Sequence, residues 1–303
     1  HQLFLGFNQT NVQNVEVVME RIPAFDFLNP AQANLAGDCN PAFIFADLLL
    51  NPRCGLACDK NADVNTDSIS DAAETFLEEA NGFSPLYTRP EELRSLLVDF
   101  LSMVDAAPVL DADGKLSLVV QRQAGIKTLY IRESNLVDLP SFDPADWSSV
   151  VNETYLNYTD RDAGWNGDFV AWKDNAAFFA KQRPEPQTLD KPFITQREIA
   201  AQLCALAGAL AALPQNSGQL KVAFDPDVFD LLAPGGSFHF DYAPRPVLSG
   251  VYRVVKRSLP DPAQPVITIE VVLDRSYLYT QTIIKQPAVV PPDGSVVPDP
   301  DPD

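Results

Sequence analysis

The chain has 303 residues, with 22 Lys plus Arg against 41 Asp plus Glu, a formal net charge of −19, two histidines and four cysteines. That acidic balance excludes a sequence-independent grip on a nucleic-acid backbone, and two histidines leave little material for a histidine-based nucleophilic triad. With no run of about 18 apolar residues and no signal-peptide pattern, the sequence reads as soluble and not secreted by that route, long enough for a sizeable core and two or so domains.

In chain order, the first residue is His1, and both ends look like connections, so the sequence reads as a piece of a longer polypeptide. Residues 1–23 include Asn14-Val15-Glu16-Val17-Val18-Met19-Glu20-Arg21-Ile22-Pro23, β-branched and partly alternating, which predicts a strand. Asn40-Pro41 then supplies an N-cap and a first-turn proline, and Asn51-Pro52 a stop, which predicts a helix with a buried stripe through Ile44 and Leu48. A second helix is predicted from Asp67-Ser68 to a stop at Asn81-Gly82, and a third from Pro90 with a stripe of Leu93, Leu96, Leu97, Phe100, Leu101 and Val104. Asp111-Ala112-Asp113-Gly114-Lys115 between two β-forming runs predicts a hairpin, and Asp160 to Gly164 a second one between Val150–Tyr158 and Gly167–Trp172.

The longest helix is predicted from Thr195, where Thr195-Gln196-Arg197-Glu198 has the form of a capping box, to about Leu213-Pro214. Its body is apolar almost all round, which predicts a helix sandwiched between layers. Four β-rich stretches follow, Leu220–Phe224, Ser237–Tyr242, Gly250–Leu259 and Val266–Leu273, punctuated by Pro234-Gly235-Gly236 and Pro260-Asp261-Pro262 as in a small barrel. Residues 286–303 alternate Pro and Asp with no apolar face and read as an extended connector.

Several groups offer chemistry, each beside a plainer reading. Asp59-Lys60-Asn61-Ala62-Asp63-Val64-Asn65-Thr66-Asp67 has oxygen ligands at every second residue, as calcium requires. Val64 stands where the tight loop needs glycine, however, and Ser70 where a bidentate glutamate closes the shell. The alternative is a polar loop that caps the next helix. Cys39, Cys54, Cys58 and Cys204 match no usual zinc or iron–sulfur spacing and read as free thiols. His239, apart from His1 the only histidine, alternates within a strand and reads as a packed or surface side chain. Trp147, Trp165, Trp172, Tyr155 and Tyr158 suit either a sugar-binding face or core and interface anchors. No catalytic, cofactor-binding or metal-ligating set is assigned. The rival class is a carbohydrate-binding or glycosidase-like virion or secreted protein, which would need a pocket with two facing carboxylates.

The series Asp38-x-Asn40-Pro41-Ala42, a short apolar helix, and Leu49-x-Asn51-Pro52-Arg53-x-Gly55-Leu56 resembles the hub segment of long-tailed phage tail tip attachment and baseplate hub proteins. The likeness continues through the Asp113-Gly114-Lys115-Leu116 hairpin, Asn152-Glu153-Thr154-Tyr155-Leu156-Asn157-Tyr158-Thr159-Asp160-Arg161 and Pro192-Phe193-Ile194-Thr195, over residues 35 to 275. The resemblance implies an α+β fold of two β-barrel-like tail-hub domains with inserted helices, and a homotrimeric ring matching a sixfold tail tube. The implied division is a β segment at 1–39, an inserted helical region at 40–105, a β-rich hub domain at 106–194, a long helix with barrel-closing strands at 195–285, and the connector at 286–303 toward a fibre. It implies no enzyme and no cofactor, but a virion protein assembled in the host cytoplasm and placed at the tail tip. Its partners there would be the distal tail protein, other tail tip proteins, the tape measure protein and a central fibre, with DNA passing through the channel without specific binding.

Overall fold

The computed structural model describes residues 22–53, 55–85, 93–111, 113–122, 129–138, 140–143, 150–258, 265–276 and 278. Most of the expected N-terminal strand, the start of the third helix at Pro90, Pro260-Asp261-Pro262 and the 286–303 connector lie outside these residues, and Ile22-Pro23 are in no strand.

A two-residue turn joins β1 (Asn34–Leu35) to β2 (Asp38–Cys39), with Ala36 and Gly37 both at positive φ, the twist a tight hairpin needs. Helix α1 (Pro41–Leu50) follows, capped by Asn40, whose Oδ1 accepts from the Ala42 N–H at 3.0 Å. The Asn40 amide also donates to Gln32 O at 3.1 Å and Ala73 O at 2.9 Å, so the cap is bolted to the neighbouring helix as well. The predicted stripe is too narrow: eight of the ten α1 residues are buried, because α1 runs through the middle of the helical region. Helix α2 (Thr66–Glu78) starts from an Asn65 cap, and the chain turns at Ala80 in the left-handed region, ahead of the expected Asn81-Gly82 stop. Gly82 serves a different purpose, since an added Cβ there would lie 2.7 Å from Cβ of Asp38. Helix α3 (Leu93–Met103) buries Leu97, Phe100 and Leu101, with Val104 beyond it, as the stripe predicts.

Strands β3 (Ala106–Leu110) and β4 (Leu116–Val120) form the predicted hairpin, closed by Asp111 Oδ1, which accepts from the N–H groups of Asp113 and Lys115. After β5 (Tyr130–Arg132) and β6 (Ser141–Asp143), the second predicted hairpin appears as β7 (Glu153–Asp160) and β8 (Asn166–Lys173). Helix α4 (Asn175–Lys181) leads to β9 (Pro186–Asp190), parallel to β7, giving a three-stranded sheet in the order β8-β7-β9.

Helix α5 (Arg197–Ala211) begins after Gln196, with no side-chain cap, so the expected capping box is not formed. Thr195 instead donates its hydroxyl to Asp38. Nor is α5 fully sandwiched: Ile199, Ala200, Leu203, Cys204, Leu206 and Gly208 are buried against β7 and β8, while Ala201 is exposed. Small alanines explain why an apolar helix tolerates a half-open side, since each leaves little apolar area in water.

The four C-terminal β-rich stretches become β10 (Ser217–Ala223), β11 (Ser237–Asp241), β12 (Gly250–Arg257) and β13 (Val266–Leu273), with α6 (Pro226–Leu231) between the first two. They form one sheet in the order β5-β11-β12-β13-β10-β6. Four strand steps separate β6 from β11, about 19 Å in a flat sheet at roughly 4.8 Å per step. Yet the Phe142 ring on β6 lies 5.7 Å from Phe240 on β11 and 5.5 Å from Tyr252 on β12. The sheet is therefore curled into a half-barrel around Leu220, Phe238, Phe240, Tyr252, Ile267 and Ile269. A separate core joins α1, α2, α3, the β3–β4 hairpin, β7 and α5. The α+β, barrel-like class is what the sequence predicts. Among the described residues no helix is long and apolar enough to cross a membrane.

Candidate interaction surface and the junction behind it

Three of the sequence motifs that carry the phage-hub resemblance meet at one buried carboxylate. Asp38, fully buried, accepts at Oδ1 from Ser84 Oγ and Thr195 Oγ1, each at 2.6 Å, and at Oδ2 from Gln196 Nε2 at 2.7 Å. Arg161, at the turn after β7, brings its guanidinium to 3.5 Å from the same carboxylate and donates to Ala36 O at 2.7 Å. Asp38 comes from the Asp-x-Asn-Pro motif, Arg161 from the motif ending Asn157-Tyr158-Thr159-Asp160-Arg161, and Thr195 from Pro192-Phe193-Ile194-Thr195. A buried charge is tolerable only when its lone pairs are used. Here both oxygens accept from protein donors, and the group joins the β1–β2 turn, the β7–β8 hairpin and the start of α5.

That junction orients the three-stranded sheet. Thr154, Leu156 and Tyr158 of β7 are buried beneath α5, while Glu153, Tyr155, Asn157 and Thr159 alternate onto the opposite face. On that face Phe169 is 58% exposed and lies 6.4 Å, ring to ring, from Tyr155. Trp165, exposed at the hairpin end, and the exposed Phe178–Phe179 pair of α4 add further aromatic surface. Strand β8 is an edge strand, and the Phe169 N–H donates to the neighbouring Asp168 carboxylate at 2.8 Å. Exposed aromatics beside an open strand edge suit protein contact rather than chemistry.

The Asp59 and Asp63 carboxylates are turned onto their own loop. Asp59 accepts from the N–H groups of Asn61 and Ala62, which hold its pKa below the ordinary value, and Asp63 accepts from the Asp59 N–H. Asn65 caps α2 and donates to Asp111, while Val64 is buried. Cys39 donates to Asn40 O, Cys58 is partly exposed, and burial pushes the Cys204 thiol up to about 11. Cys54 is outside the described residues. Among those residues no group of three or more His, Cys, Asp or Glu is placed to hold a metal ion.

His239 stacks on Tyr130, 4.8 Å between rings, on the half-barrel. Trp172 lies against α5 at Gly208, where an added Cβ would fall 2.7 Å from its Cδ2. Trp147 is outside the described residues. Trp172 is thus packed against α5, apart from Trp165 at the hairpin end and Tyr155 on the opposite sheet face. Burial, with Asp160 and Asp168 alongside, pushes the Tyr158 hydroxyl up to about 12, and it donates to both carboxylates.

A concavity of about 230 Å³ contains two carboxylates, Glu153 and Asp174, as a glycosidase would require. Asp174 is committed to capping α4 through the Ala176 and Ala177 N–H groups. Glu153 pairs with Lys173 at 2.9 Å and accepts from Tyr155, contacts that hold its pKa down, opposite to what a general acid needs. A second concavity, of about 460 Å³, has Glu270 as its one carboxylate lining residue.

What the sequence reading missed is the Asp38 junction. Its signal lay in the motifs themselves, which put one Asp, one Arg and one Thr at separations no local pattern relates.

No family model matches the sequence, and no curated protein matches it. Solved structures similar to it are those of tail and virion proteins. A chain of the virion of a native gene transfer agent particle matches with TM-score 0.49 and 12% identity, over 62% of this chain and 40% of that one. A tail protein from Neisseria meningitidis MC58 gives TM-score 0.47 and 12% identity over 67% of this chain and 61% of that one. The 43 kDa tail protein of prophage MuSo2 from Shewanella oneidensis gives 0.42 and 16%, over 64% and 58%. The chain spans between two fifths and three fifths of the length of these relatives.

Proposed function

We propose that the chain is a structural virion protein that forms the hub of a phage tail tip or baseplate. It assembles as a homotrimeric ring, links the tail tube to a central fibre, and gates the DNA channel during host attachment and genome ejection. In this reading residues 1–39, 40–105, 106–194 and 195–285 are the successive hub segments, and 286–303 lead toward the fibre. The work is mechanical, done by packing and interface contact, with no catalytic set.

The observation that carries the reading is the convergence of the three hub-like motifs on Asp38. Residues kept for chemistry would face a pocket; these face one another and lock a hairpin, a turn and a helix into one rigid frame. The exposed sheet face and open β8 edge give that frame a surface for a neighbour. The acidic net charge suits a channel along which DNA slides without sticking.

Native mass measurement of the full chain tests the ring. Three copies at micromolar concentration are expected, and a stable monomer there overturns the assembly. Gold-labelled antibody on intact particles tests the location, with label away from the tail tip counting against the hub.

A further inference from the structure

The half-barrel core and the larger core share no residue, a small third cluster of Val150, Ala177 and Ala212 joins the larger one through Trp172, and none of the extensive element packings among the described residues crosses to the half-barrel. Polar contacts bridge them. Arg253, on the outer side of β12, reaches Asp105 at the α3–β3 corner at 2.7 Å, with both side chains mostly buried. Arg275, just after β13 and 6% exposed, donates to the carbonyls of Leu210, Leu213 and Pro214 at the end of α5. A third approach is steric and partly apolar: Gly235, at φ 88, leaves room for Gln121 and Val119 at the end of β4, whose Nε2 and Cγ1 would lie 2.6 and 3.2 Å from an added Cβ.

Arg122 braces the same corner, bonded to Glu79 at 2.5 and 2.7 Å and to Val104 O at 3.0 Å. Asp274 stands close enough to act on Asp105 and accepts from Ser237. Contacts of this kind are directional and few. They hold one geometry while intact, whereas a continuous apolar interface slides and repacks.

We propose that the half-barrel is a separately opening body, latched to the helical and three-stranded-sheet body by Arg253 and Arg275. Opening at the latches precedes melting of either core. This goes beyond the hub reading and does not depend on it.

Hydrogen exchange on the full chain tests it. Arg253→Met keeps the aliphatic stem and removes the guanidinium; exchange over 104–107 and 119–122 should rise about tenfold, the scale of losing one partly buried charged contact. Amides of α1 and β13 should stay within about twofold. Asp105→Asn, which removes the other half of the latch while keeping its shape, should give the same pattern, so one poorly folding variant does not leave the test empty. Arg275→Lys should speed exchange over 212–216 in the same confined way. A uniform rise across both bodies would mean one cooperative unit, and no rise would mean the latches do not hold; either overturns the proposal.

Discussion

Replacing Asp38 is the most direct perturbation of the junction. Asp38→Ala removes the acceptor shared by Ser84, Thr195 and Gln196 and leaves Arg161 facing an uncharged cavity. Each hydrogen bond to a charged group is worth about 1.5–3 kcal/mol in isolation. Adding them would overshoot, because the donors share two oxygens and neighbours are not additive. Removing one member of a buried ion pair costs about 3–5 kcal/mol. The lower end applies here, since Arg161 is 26% exposed and 3.5 Å away, so water takes over part of its charge. A loss of about 3 kcal/mol lowers the melting temperature by about 6–12 °C at about 2–4 °C per kcal/mol. Asp38→Asn keeps the shape and one acceptor but turns an N–H2 toward a donor, for a loss of about 2 kcal/mol. Thermal and urea unfolding of Asp38→Ala, Arg161→Met and the double variant would give the coupling between them. If Asp38→Ala costs less than about 1 kcal/mol, the carboxylate is not what holds the turn, the hairpin and the helix together.

Gly208→Ala should destabilise: helix propensity gains about 1 kcal/mol, but crowding Trp172 costs about 1–3 kcal/mol, and Trp172→Leu in the same chain should restore the melting temperature. No recovery in the double variant would show that Trp172 is not the obstacle. Asp105 gives a pH signature, because burial raises its carboxyl above the ordinary 3.8, with Arg253 opposing. The folded state therefore takes up this proton before the unfolded state does, so its contribution to stability grows as pH falls from the raised value to the ordinary one. In the Asp105→Asn variant that part of the pH dependence, followed by urea midpoints across the acid range, should vanish; an unchanged profile would assign it to another group.

Local chemistry made much of this fold legible. Asn40-Pro41 and Asn51-Pro52 bracket α1 because capping and proline sterics act within a few residues. Asp111 to Lys115 turns the β3–β4 hairpin for the same reason. The misses are long-range. Thr195-Gln196-Arg197-Glu198 has the spacing of a capping box, but Asp38, 157 residues earlier, offers the Thr195 hydroxyl a charged acceptor, a stronger partner than a backbone N–H. Gly82 looks like a helix stop because Asn-Gly usually is one, yet its missing side chain makes room for Asp38. Strands β5 and β6 have three residues each, too few for alternation to show, and only the curl of the sheet gives them a place on its edges. Within the candidate surface, Trp165 and Tyr155 are legible as aromatics in a hairpin, while Phe169 is read only as part of a strand. Which side faces water depended on where α5 lay.

The placement of polar groups fits the mechanical role proposed above. Asn40 spends its side chain on a helix cap and two carbonyls, and Asn152 spends its own on Arg183 O and the Glu185 N–H. Asp38 spends both oxygens on three donors and a guanidinium, and Arg275 satisfies the end of α5. A catalytic group must keep a lone pair or proton available to a substrate. These groups do the reverse: each is buried where its bonding capacity closes on the protein's own backbone and turns. Such closure adds modest stability for each bond but fixes relative orientation sharply, because an unmade buried bond is expensive in every alternative geometry. The proposed ring, which would carry load between a tube and a fibre, needs that property; in that reading the polar interior sets the shape of the sheet and the aromatic exterior presents it to a neighbour.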